Sequence, residues 1–84
     1  VLVQAELTVE PFVPGWRGPH VEAASAAASD LGATVEVGPF GDRLVGEADV
    51  VLSAVAAAVL GALTSGATRV SIQVAPAVEG AASP

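Results

Sequence analysis

Apolar residues occupy every second position from Val1 through Val3, Ala5 and Leu7 to Val9, with Gln4, Glu6, Thr8 and Glu10 in between. A period of two with β-branched residues describes a half-buried strand. The period then changes to that of a helix, returns to two, and makes the same change again before Val74. This double alternation constrains the fold more than any single motif does. Pro11 and Pro14-Gly15 end the first strand, and Gly15 to Pro19 reads as a loop. Pro19 suits the first helical position, where its missing N–H costs nothing, and Glu22 faces the positive end of the helix dipole. Val21, Ala24, Ala28 and Leu31 follow at helical spacing as the expected buried stripe, and Gly32 supplies the left-handed residue that stops the helix.

Thr34 to Val37 alternates again, Gly38-Pro39-Phe40-Gly41-Asp42 turns, and Arg43 to Glu47 returns, so the pair reads as a hairpin. Asp49 is expected to cap a second helix, whose apolar stripe is Leu52, Val55, Val59, Ala62 and Leu63. The back of that helix (Ser53, Ala54, Ala57, Gly61) is uncharged, which suits either a neighbouring subunit or an alanine-biased surface. Gly66 ends it, and Val70, Ile72 and Val74 then alternate with Arg69, Ser71 and Gln73 in a last strand. Pro76 to Pro84 has no periodicity and reads as a tail. The expected organisation is one domain over residues 1–75 and a flexible tail over 76–84. Strand, helix, strand, strand, helix, strand is the ferredoxin-like βαββαβ order. It is an α+β fold with a four-stranded antiparallel sheet and both helices on one face.

The chain has 84 residues, 52% of them hydrophobic but only 4% aromatic, so its core must come from Val, Leu and Ala. Such side chains bury little area each, and association into a dimer or tetramer is expected to help a domain this small. The net charge is −6, with three Arg and no Lys. That balance repels phosphate backbones and argues against nucleic acid, while it favours a cationic small molecule. The absence of Cys removes disulfides, thiolate metal sites and a cysteine nucleophile together. A single His makes a metal site unexpected. Acyl phosphatase chemistry needs a positioned Asn, and the chain contains none. Ala48 to Leu63 includes Asp49 and falls short of the ~20 apolar residues of a membrane span. No basic leader precedes the first strand, so the expectation is a cytoplasmic protein whose Val1 follows a removed initiator.

With the aliphatic residues beneath the helices, the opposite sheet face collects Gln4, Glu6, Thr8, Glu10, Glu36, Arg69, Ser71 and Gln73. It is either an ordinary solvated surface or an interface for a ligand or subunit. Thr, Ser and Gln both donate and accept hydrogen bonds, and Glu6 or Glu10 can offset a cation. Arg69 is expected to pair with Glu6 or Glu10 across the sheet.

The stretch from Gly38 to Glu47 resembles a segment of the thiamine-binding protein family. In that family it reads glycine-proline-(methionine or phenylalanine)-glycine-threonine, two or three residues, then glycine and an acid. Thr8-Val9-Glu10-Pro11-Phe12 is similar to the end of the family's first strand. Gly66-Ala67-Thr68-Arg69-Val70 is similar to the opening of its last one. Asp42 stands where the family usually has threonine, and Gly18-Pro19-His20 where many relatives carry serines. The resemblance implies a ferredoxin-like dimer or tetramer that binds thiamine or its hydroxymethylpyrimidine part, and it does not imply catalysis; no cofactor or metal is expected. The candidate ligand-binding residues are Glu6, Thr8, Phe12, Trp16, His20, Phe40, Gly41, Asp42 and Ser71. Trp16 either stacks on the ligand or caps the open end of the core. His20 opens a helix, a position more often at the surface than in chemistry. The alternative function is a regulatory small-molecule-sensing module of the same fold with a different ligand.

Overall fold

The computed structural model describes residues 1–11, 18–38 and 41–77. It contains β1 (Leu2–Glu10), α1 (Pro19–Asp30), β2 (Thr34–Val37), β3 (Asp42–Glu47), α2 (Ala48–Thr64) and β4 (Arg69–Pro76). The four strands form one antiparallel sheet in the order β2-β3-β1-β4. This is the ferredoxin-like α+β arrangement that the alternating periods predict. Among the described residues no helix is long and apolar enough to cross a membrane.

The period of two in β1 does what it predicts. Val3, Ala5, Leu7 and Val9 are buried against the helices, and Glu6 and Thr8 are exposed on the other face. In register, Ala5 stands between Leu44 of β3 and Val74 of β4, and Glu6 between Arg43 and Gln73. Pro19 opens α1 as expected, and Gly32 and Gly66 end their helices with φ of 89° and 106°. β3 begins one residue earlier than the sequence suggests, because Asp42 is already paired with both Leu7 and Val37. β4 runs on to Pro76, and the Ala77 N–H donates to the Leu2 carbonyl. Residues 78–84 of the expected tail lie outside the described residues.

The helix faces depart from expectation in three places. Leu31 is 48% exposed, and His20, Ala24 and Ala28 make the buried stripe of α1. The reason is local: Leu31 is the C-cap, with ψ near 6°, so the chain has left the helix before the stripe reaches it. Asp49 is not the cap of α2. Glu47 holds that position, and Asp49 sits in the first turn, where its carboxylate suits the dipole. The buried face of α2 is Val51, Ala54, Val55, Ala58 and Ala62, while Leu52 and Leu63 point outward.

That rotation follows from helix–helix packing. A Cβ built on Gly61 would lie 3.1 Å from the Ala23 carbonyl oxygen and 3.6 Å from the Ala27 Cβ. Gly61, in the uncharged back of α2, therefore meets α1, while Ser53 of the same back stays exposed. Small residues let two helices approach closely and gain dispersion contacts, and leucines on that side would hold them apart.

Candidate functional site

A cavity of about 360 Å³ opens on the polar sheet face, at the lower end of the ~300–1,000 Å³ range of small-molecule sites. Three strands and one turn build it. Glu6 and Thr8 come from β1, Glu36 and Val37 from β2, Arg43 from β3, and Gly38 and Gly41 close one end. The hairpin is drawn together by the Gly38 N–H, which donates to the Gly41 carbonyl at 2.8 Å. Gly41 is required there, since a Cβ would stand 2.3 Å from the Leu7 carbonyl oxygen.

The antiparallel register sets the electrostatics. Arg43 stands in line between Glu6 on β1 and Glu36 on β2, so one guanidinium faces two carboxylates. Its Nη2 donates to Gln4 Oε1, and its Nη1 lies 3.9 Å from Glu36 Oε1. Glu10 pairs with Arg69, Nε to Oε2, at 3.7 Å. These pairs are half-exposed and contribute about 0–1 kcal/mol each. Glu6 makes no hydrogen bond or ion pair among the described residues. The cavity thus holds an acidic excess, with a carboxylate on its β1 side that is uncommitted among the described residues.

The sequence-derived candidates separate into three groups. Glu6, Thr8, Gly41 and Asp42 line the cavity together. Ser71 stands beside Thr8 in register on the same face, outside the cavity lining. His20 is buried on the sheet-facing side of α1, with Nε2 2.7 Å from the Pro11 carbonyl oxygen, and does not line the cavity. Phe12, Trp16 and Phe40 lie outside the described residues. Asp42 differs from the sequence picture in one respect. Its side chain is buried and accepts a hydrogen bond from the Ser25 hydroxyl of α1, so it ties α1 to the hairpin.

Asp42→Ala leaves the Ser25 hydroxyl without that acceptor in a part-buried site. It should destabilise the fold by about 1–3 kcal/mol, measured by urea denaturation. A midpoint equal to that of the parent would remove the structural role.

Sequence reasoning did not place Arg43 or Glu36 among the site residues. The signal was present in the hairpin, because antiparallel pairing of 34–37 with 42–45 sets Glu36 against Arg43. What the hairpin alone lacks is the position of β1, which brings Glu6 to the same line.

No protein-family model and no curated protein matches the chain. Solved structures do. A domain of unknown function from Bacillus cereus, DUF77, is 27% identical with a TM-score of 0.65, over 88% of this chain and 72% of that one. A Streptococcus pneumoniae protein is 25% identical with a TM-score of 0.70, over 99% of this chain and 92% of that one. A Thermotoga maritima protein provisionally assigned to thiamine biosynthesis or salvage is 24% identical with a TM-score of 0.63, over 89% of this chain and 81% of that one. That last likeness is one of fold. Over 88% of its length, then, this chain is similar in fold and at 27% identity in sequence to the DUF77 domain of Bacillus cereus.

Proposed function

We propose that this protein binds thiamine, or its hydroxymethylpyrimidine part, in the cavity of the polar sheet face, without turning it over and as an oligomer in the cytoplasm. The observation that carries the reading is Glu6, a carboxylate with no hydrogen bond or ion pair among the described residues, in a small cavity with more acids than bases. The thiazolium ring supplies a permanent cation for it. The aminopyrimidine offers donors and acceptors for Thr8 and the backbone groups of the turn. The Gly38–Glu47 resemblance and the provisional thiamine assignment of the Thermotoga maritima structure support the same ligand. Among the described residues none in the cavity is arranged as a nucleophile beside a base, which favours binding alone.

Calorimetry should show saturable thiamine binding, with the ligand recovered unchanged by chromatography. Glu6→Gln keeps the shape and removes the charge. A partly screened contact of this kind is worth on the order of 1 kcal/mol, so thiamine binding should weaken roughly five- to tenfold. The uncharged pyrimidine fragment should lose much less. Equal losses for both ligands would assign Glu6 to holding Arg43 across the β1–β3 pair. No loss for either would place the ligand elsewhere, and conversion of thiamine would end the binding-protein reading.

A further inference from the structure

Arg43 does not bond to its nearest carboxylates. In register it stands directly opposite Glu6 on β1 and Glu36 on β2, and residues so placed have Cβ atoms about 4.5–5.5 Å apart. Its Nη2 donates instead to Gln4 Oε1. Gln4 is paired with Val45, two residues along β3, so this contact runs diagonally over roughly 7–8 Å of sheet. Glu36 Oε1 lies 3.9 Å from Nη1, beyond hydrogen-bond reach. Glu6 makes neither an ion pair nor a hydrogen bond among the described residues. The guanidinium therefore bonds a neutral amide while two carboxylates stand beside it.

Two effects oppose that pose. Arg43 Nε is buried without a hydrogen-bond partner, and a buried donor left unmade weighs against any conformation that contains it. A charge-assisted bond to a carboxylate is also stronger than one to a neutral acceptor. Among the described residues, the Gln4 amide is the hydrogen-bond acceptor that holds the guanidinium where it is. Without it, rotamer changes alone would carry the head to Glu6, because the two residues already share a register line. Arg69 is no substitute. It is engaged with Glu10 at 3.7 Å, and Glu10 lies roughly 13 Å along β1 from Glu6.

We infer that Gln4 is a positioning residue for the cavity: it holds Arg43 off Glu6 and so keeps that carboxylate open to a cationic ligand. Arg43 is the ligand cation's internal competitor, and Gln4 sets how strongly it competes. The inference rests on the reading that the ligand's cation sits against Glu6, and it adds what makes Glu6 available. It also places a specificity determinant outside the cavity lining, since Gln4 acts through Arg43 and does not itself line the cavity.

Gln4→Leu keeps the bulk of the side chain and removes the acceptor, so Arg43 should turn to Glu6. Thiamine affinity by calorimetry should then fall roughly five- to tenfold, as for Glu6→Gln, while the neutral pyrimidine fragment stays within about twofold. Arg43→Gln removes the competitor and should bind thiamine roughly two- to fivefold more tightly than the parent. Adding Gln4→Leu to Arg43→Gln should change nothing further. Gln4→Glu retains an acceptor for Arg43 and should bind at least as tightly as the parent. Each variant alters a side chain on the polar face and should keep the parent's circular dichroism. A loss from Gln4→Leu that persists without Arg43 would make Gln4 an ordinary contact and overturn the inference.

A second readout needs no ligand. The Arg43 Nε–H resonance, assigned by its disappearance in Arg43→Gln, reports what the guanidinium touches. Glu6→Gln should move it clearly more in the Gln4→Leu background than in the parent. Equal shifts in the two backgrounds would overturn the inference whatever thiamine does. If the resonance behaves as expected and the parent binds no thiamine, the ligand reading falls and the restraint of Arg43 by Gln4 stands.

Discussion

Gly41→Val should lower the melting temperature by roughly 12–24 °C and abolish the thiamine binding proposed for the polar face. The chain enters β3 by passing over β1 so closely that any Cβ at this position meets the Leu7 carbonyl oxygen at 2.3 Å and the Thr8 hydroxyl at 3.3 Å. The nearer atom is backbone inside the central strand, so it cannot rotate aside. Relief requires the β2–β3 hairpin to lift from β1, which breaks the Leu7–Asp42 register and the closing contact from Gly38 to Gly41. Overpacking of this kind costs about 3 kcal/mol, and a domain of this size loses ~4–8 °C for each kcal/mol. Gly46→Ala is the natural comparison. Its Cβ would meet the Val51 Cγ2 at 3.4 Å, an ordinary contact, and the variant should melt within a few degrees of the parent. Thermal melts of the two side by side check the argument. A Gly41→Val protein as stable as Gly46→Ala would show that the hairpin is free to shift.

Leu44→Ala should remove about 3–4 kcal/mol of stability, toward the upper half of the ~2–5 kcal/mol seen for such truncations. Leu44 is 1% exposed, and among the described residues seven of the thirteen buried hydrophobic ones are alanine. Its register neighbours Ala5 and Val35 are short and fixed by the sheet, so little can move in to close the cavity. A domain of 84 residues has on the order of 4–13 kcal/mol in total, so a large share would be lost. Urea denaturation should show an earlier midpoint with an unchanged slope. Leu44→Met, which nearly conserves volume, should lose less than about 1.5 kcal/mol. Leu44 and the cavity of the polar face lie on opposite faces of the sheet. The folded fraction of Leu44→Ala should therefore bind ligand like the parent. A loss under about 1 kcal/mol would mean that the helices close onto the alanine-rich layer without the leucine.

The strands were legible from the sequence because their information is local. Alternation at Val1–Val9 fixes which side chains share a face whatever the strand pairs with. Pro19, Gly32 and Gly66 act through their own backbone and mark helix limits without reference to the rest of the chain. Their order leaves few ways to close a sheet. The polar face, with Glu6 and Thr8 on it, was readable for the same reason.

Tertiary packing decided what local pattern left degenerate. Around α2 nearly every position is apolar or small, so periodicity favours the leucines for the core. The close approach at Gly61 turns the small residues inward and leaves the leucines facing outward. Asp42 stands at a turn in sequence, but the β3 register sends its side chain beneath the sheet to Ser25. Arg43 and Glu36 join Glu6 only because β1 lies beside β3. Sequence determined which residues share a face of each element. Which face meets which neighbour was set by close packing, whose energy depends on shapes distant in the chain.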